Sequence, residues 1–139
     1  MPQEPSILDR IRANAALTVR IAHADLGVGL GYDEAGVKWL DGYLQRQHEA
    51  GDPALRDKLT STLGSYLGEC IVHSFGGAWA EIDGTWGIRF DDKNAVFPFA
   101  KVSKHLANGS EDSVLSFFTL IPLIYDNTSF RPTTSKDAS

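Results

Sequence analysis

Cysteine is almost missing from this sequence. Cys70 is the only one in 139 residues, so no intrachain disulfide can form, a four-thiolate metal centre is excluded, and a reducing compartment is the simplest setting. Clusters of basic residues are missing too. The 13 Lys/Arg and 18 Asp/Glu are spread evenly, seven against ten in residues 1–70 and six against eight in the rest, for a formal net charge of −5. Phosphate binding draws its affinity from clustered Lys and Arg, so nucleic acid is not expected as the main partner. Anionic membrane surfaces are disfavoured for the same reason. Nor is there a long apolar run. Glu4, Asp9, Arg10 and Arg12 interrupt the stretch a signal peptide would need, and the region from Val114 to Tyr125 is shorter than the ~20 residues that span a bilayer. A cytoplasmic location is the resulting expectation. No glycine-flanked serine elbow, Ser-x-x-Lys, His-Glu-x-x-His or glycine-rich phosphate loop occurs, which leans the chain away from enzymes.

What is present is an ordinary globular composition, 42% apolar and 22% charged, in a chain long enough for one core and too short for two. Residues 1–126 are read as a single domain, and 127–139, mostly Ser, Thr, Pro and charge, as a flexible tail.

Helical spacing opens the chain. Leu8, Ile11, Ala15, Thr18, Val19, Ala22 and Leu26 form one stripe between a capping Ser6 and a terminating Gly27. The glycines from Gly27 to Gly31 suit a turn between antiparallel helices. Asp33 then caps a second helix whose core face is Val37, Leu40, Tyr43 and Leu44, with Trp39 about 100° off that stripe. A third helix starts at Pro53 and carries Leu55, Leu59, Leu63, Tyr66, Leu67 and Cys70 on one face. Gly64 and Gly68 lie one turn apart on the other side. Each costs up to ~1 kcal/mol against alanine in an exposed helix, which points to a central helix closely approached by another backbone.

After Gly76 and Gly77 the period falls to two. Ala78–Ile82 and Thr85–Phe90 flank Asp83-Gly84, a type I′ hairpin pair. The two-residue turn sets Ile82 against Thr85, Glu81 against Trp86, Ala80 against Gly87 and Trp79 against Ile88. Trp79, Trp86, Ile88 and Phe90 then share a face that should pack on helices. Ala78, Ala80, Ile82, Thr85, Gly87 and Arg89 share the other. Ala95–Phe97 completes a meander, Pro98 opens a short helix ending at Asn108-Gly109, and Ser110 caps a last helix. That helix, apolar almost all round from Val114, should be the most buried element and should kink or end near Pro122. The expected fold is therefore α+β, with about five helices on one face of a small three-stranded antiparallel sheet.

Few residues nominate chemistry. Glu69 and His73, four apart, can share one metal ion, but zinc needs a further protein ligand and nothing supplies it, so no metal or cofactor is implied. Cys70 with His73 or His105 as its base would make a nucleophile, yet Cys70 sits in the apolar stripe where burial raises its pKa. Lys101, Lys104 and His105 read as a solvated surface face. The less ordinary feature is the outer sheet face, made flat by Ala78, Ala80 and Gly87 with Arg89 at one end.

The segments Trp39-Leu40-Asp41-Gly42-Tyr43 with Gln45-Arg46-Gln47, Gly64 to Glu69, Gly76-Gly77-Ala78-Trp79, Phe97-Pro98-Phe99 with Lys101-Val102, and Asn108-Gly109 with Asp112-Ser113 resemble a family of small uncharacterised bacterial domains, over residues 33–120. The resemblance implies a bacterial stand-alone domain and transfers no activity.

The first functional expectation is a non-enzymatic interaction module, an immunity-type or adaptor protein that masks a protein partner with the outer sheet face or the edge of its third strand. The second is a small enzyme, or a metabolite or metal binder, using Glu69, His73, Glu81 and Arg89. The third is a homodimer formed through an apolar surface around Trp39.

Overall fold

A computed structural model describes residues 6–129. The elements are α1 (Ile7–Leu26), α2 (Glu34–Ala50), α3 (Pro53–Phe75), β1 (Ala78–Ile82), β2 (Thr85–Arg89), β3 (Ala95–Val96), α4 (Pro98–Asn108), a 3-10 turn (Gly109–Asp112) and α5 (Val114–Ser129). The fold is α+β, five helices with one open three-stranded sheet of order β1-β2-β3.

Local chemistry places most boundaries. Ser6 and Asp9 form a reciprocal capping box at α1, the Asp33 carboxylate accepts from the Gly36 N–H at 2.9 Å, and the Asp52 carboxylate accepts from the Ala54 N–H ahead of Pro53. Gly27 and Gly51 end α1 and α2 in the left-handed conformation. Asp83 and Gly84 take φ of 52° and 83°, the type I′ values, and the hairpin register is the one expected from that turn. The β2–β3 turn is tied by Asp91, whose carboxylate accepts from the Lys93 and Asn94 amides at 2.8 and 2.9 Å. Those bonds, the Asn94 side chain's foremost, hold its pKa below the usual carboxylate range.

α3 is the centre of the molecule. It packs against α1, α2 and α4, while α5 closes on α2 and α4. Its residues from Leu63 to Ile71 are all buried, on every side of the helix, so their periodicity alone cannot mark one core face. α1 lies along α3 and not along α2, so the glycine connector does not fold the two into a hairpin of helices. Tyr66 supplies the reason. Its hydroxyl donates to the Gly31 carbonyl, its oxygen fills the space beside Gly36, and the Tyr32 ring sits 5.7 Å from it. The connector is thereby drawn across α3.

Gly64 and Gly68 meet aromatic rings. A Cβ on Gly64 would come within 2.5 Å of the Phe99 ring and 3.1 Å of its Cα, and one on Gly68 would enter the Trp79 indole. These rings lie 5.7 Å apart. The close approach is thus made by two flat side chains, with backbone contact only at Phe99.

α5 departs from expectation. Val114, Phe118 and Ile121 are buried, but Leu120 and Leu123 are 51% and 59% exposed, so α3 and not α5 is the most buried element among the described residues. Of the kink or end expected near Pro122, the end does not occur: the helix runs through Pro122 to Ser129, into the segment read as tail. Pro122 does remove the amide that would bond the Phe118 carbonyl. The buried stripe, with Phe118 against Phe75 at 4.8 Å, holds the preceding turn helical nonetheless. The remaining tail, 130–139, lies outside the described residues. A third difference is the cap: Ser110 falls in the 3-10 turn, and Ser113 accepts from the Ser116 N–H at 3.2 Å instead.

Gly68→Ala should lower the unfolding free energy by ~1–3 kcal/mol, since a methyl group would have to displace the indole. Gly29→Ala, where no atom lies within 4 Å of the added carbon, should change it by less than ~0.5 kcal/mol. Urea denaturation of the two variants checks the contrast.

Candidate functional site

The hairpin hangs from α3 by Trp79. Its indole lies on bare Gly68, and its Nε1–H donates to Glu69 Oε2 at 2.9 Å. Glu69 is only 8% exposed, so the carboxylate acts as a buried anchor for the strand. His73, one turn on, places Nε2 3.7 Å from the other Glu69 oxygen and rests its ring 4.8 Å from Tyr32. Ile88, fully buried, joins Trp79 on the helical side of the sheet.

This geometry divides the four polar residues nominated for a shared site. Glu69 and His73 are together. Glu81 projects from the same sheet face as Trp79, but it is exposed and makes no side-chain hydrogen bond or ion pair among the described residues. Arg89 projects from the opposite face. Strand alternation therefore separates Arg89 from the other three. No group of three or more His, Cys, Asp or Glu placed to hold a metal ion occurs among the described residues.

Cys70 is fully buried, and that burial pushes its thiol up to about 12. A nucleophile needs the thiolate, which this position withholds at neutral pH. His105, read as part of a solvated basic face, is 0% exposed. It stands in a junction whose members, Asp41, Ser113 and His105, have the residue types of a hydrolase triad. Their bonds are different. Ser113 Oγ and the Leu115 N–H both donate to Asp41, and His105 Nδ1 accepts from the Val114 N–H at 3.2 Å. Nε2 then carries the proton and donates to Gln45 Oε1 at 3.3 Å. Burial holds the His105 pKa below 6.5 against the pull of Asp41 at 3.7 Å. The imidazole has neither a bond to the serine nor a path to substrate, so the group caps the start of α5. Sequence reading missed it because its parts come from three elements, and only the Ser-x-x spacing ahead of Ser116 hinted at a cap.

The flat outer sheet face is not free at its centre. Gly87 is buried, and a Cβ there would strike the Val96 carbonyl at 2.7 Å and the Phe97 ring at 2.8 Å. Phe97 stands opposite Gly87 across the strands and covers it, a pairing that makes good the missing side chain. Ala80 is half-buried and Arg89 exposed. The third strand is two residues long.

The edge of β1 is different. With Ile82 and Thr85 closing a two-residue turn as a hydrogen-bonded pair, alternation turns the N–H and C=O groups of Trp79 and Glu81 away from β2. Among the described strands none lies on that side. Five residues of backbone are thus held straight by the Trp79 anchor with their outer edge unpaired. Elsewhere, Trp39 stacks on Tyr43 at 5.3 Å and lines an apolar groove of about 230 Å³ between α1, α2 and α3, beside exposed Ile21 and Leu26. No helix among the described residues is long and apolar enough to cross a membrane.

Comparisons with protein-family models, curated proteins and solved structures find no match to this chain.

Glu69→Ala should destabilise the fold by ~1–3 kcal/mol, because it leaves the Trp79 indole N–H without its acceptor. Glu81→Ala should cost less than ~0.5 kcal/mol. For His105 the sign follows from its depressed pKa: the unfolded chain takes up a proton near pH 6.5 that the folded chain refuses. Its contribution is full above that pH and declines below it, by up to ~1.4 kcal/mol per pH unit. The stability gap between the protein and His105→Gln should therefore narrow between about pH 7.5 and 5.5, as read from urea midpoints.

Proposed function

We propose that the protein is a non-catalytic interaction module that takes up an extended segment of a partner protein along the free edge of β1. The observation that carries this reading is the five-residue edge strand, anchored through Trp79 on Glu69 and flanked by no other described strand. Strand addition draws affinity from main-chain hydrogen bonds and selectivity from alternate side chains. Here Trp79 and Glu81 offer the main-chain groups. On the outer face Ala78 and Ala80 leave room for large partner side chains, and on the other face Glu81 favours a Lys or Arg directly opposite. The sealed thiol and the buried, fully bonded imidazole support binding over catalysis.

A natural edge of this kind is guarded against indiscriminate pairing by a charge. Glu81, fourth of the five residues of the strand, has that position. The partner segment is accordingly short, extended and basic at one residue.

Glu81→Pro is the decisive variant. It removes an outward N–H while leaving every ladder bond to β2, because proline is tolerated where the amide faces solvent. A partner co-purified from the producing cell should be lost with Glu81→Pro while the far-UV spectrum stays unchanged. Hydrogen exchange at the Trp79 and Glu81 amides should slow in the complex. Undiminished capture by Glu81→Pro, with unprotected amides, would sink the proposal.

A further inference from the structure

A second candidate site lies at the tip of the hairpin. The first half of α1, the middle of α3 and the start of α4 enclose with it a cleft of about 430 Å³, within the size range of small-molecule sites. Ile11, Trp86 and Phe99 form its apolar walls, and Arg10, Asn14 and Thr85 its polar ones.

The charge of this cleft runs against that of the chain. The protein carries 18 Asp/Glu, yet none of the lining residues is acidic, and Arg10 is the one charged group among them. Its neighbour Asp9 is turned away, accepting from the Ser6 N–H in the α1 cap. The Arg10 guanidinium has no hydrogen bond or ion pair among the described residues. Trp86 lines the same cleft, and its indole Nε1 is buried with no acceptor among the described residues. A buried donor left unpaired is unusual and costly, and it marks a place where an acceptor belongs. The Ser65 hydroxyl in the cleft wall cannot serve as that acceptor's rival donor, since it is committed to the Ser61 carbonyl at 2.8 Å.

We propose that this cleft binds a small carboxylate with a flat apolar body. The carboxylate pairs with the Arg10 fork, whose planar donors match two oxygens. The body lies against Phe99 and Ile11. The Trp86 N–H is closed off from solvent, so binding includes a turn of the indole toward the carboxylate, and its proton reports the event.

The test is a titration of the whole chain with phenylacetate, followed by the indole N–H resonances, that of Trp86 being assigned by its absence in Trp86→Phe. The Trp86 resonance should shift saturably in the millimolar range. Phenylacetamide, which keeps the ring and loses the charge, should leave it in place. Arg10→Gln should weaken phenylacetate by roughly tenfold or more, with its remaining amide spectrum unchanged. The absence of a saturable shift, an equal response to phenylacetamide, or full affinity in Arg10→Gln would each overturn the assignment.

Discussion

The molecule turns on the bare side of α3. Two glycines one turn apart leave a strip of backbone without side chains, and two rings settle on it, Phe99 at Gly64 and Trp79 at Gly68. Phe99 brings α4 with it, and Trp79 brings the hairpin. Because the strip admits no methyl group, both attachments share one steric condition. The indole adds a polar bond to that contact by donating to Glu69, so the hairpin is held in direction as well as in distance. Another side of α3 is closed by α1, whose small Ala15, Thr18 and Ala22 allow a close approach.

That mode of attachment explains why Cys70 and Glu69 are taken up in the packing while the edge of β1 is left open. A helix buried all round hides its thiol and spends its carboxylate as an anchor. The imidazole at the α2–α4–α5 junction is likewise consumed, since both ring nitrogens cap or brace neighbouring elements. A small sheet suspended from a helix by one indole keeps an outer strand whose hydrogen-bonding groups have nowhere internal to go. The proposed strand addition draws on this arrangement.

Much of the fold was legible from short-range signals. Ser6, Asp33 and Asp52 mark helix starts because a cap is a contact between residues two or three apart, and Asp83-Gly84 sets the hairpin register because the turn permits only one pairing. The candidate site was legible in part. Trp79 and Ile88 share the inward face as alternation requires, whereas Arg89 and Glu81 were grouped although the same alternation puts them on opposite faces. The flatness expected at Gly87 vanished because Phe97, ten residues along the chain, covers it.

The sequence by itself determined the local grammar of this protein: its helix caps, its turn, its strand register, and an even acidic charge without basic clusters. Tertiary structure alone decided that rings and not a backbone fill the glycine strip, that α5 continues through Pro122, that His105 is buried, and that β1 is the edge left open. The physical reason is distance along the chain. Caps and turns are contacts within a few residues, while burial and exposure depend on which remote surfaces arrive, and those arrivals leave no periodic mark in the residues that receive them.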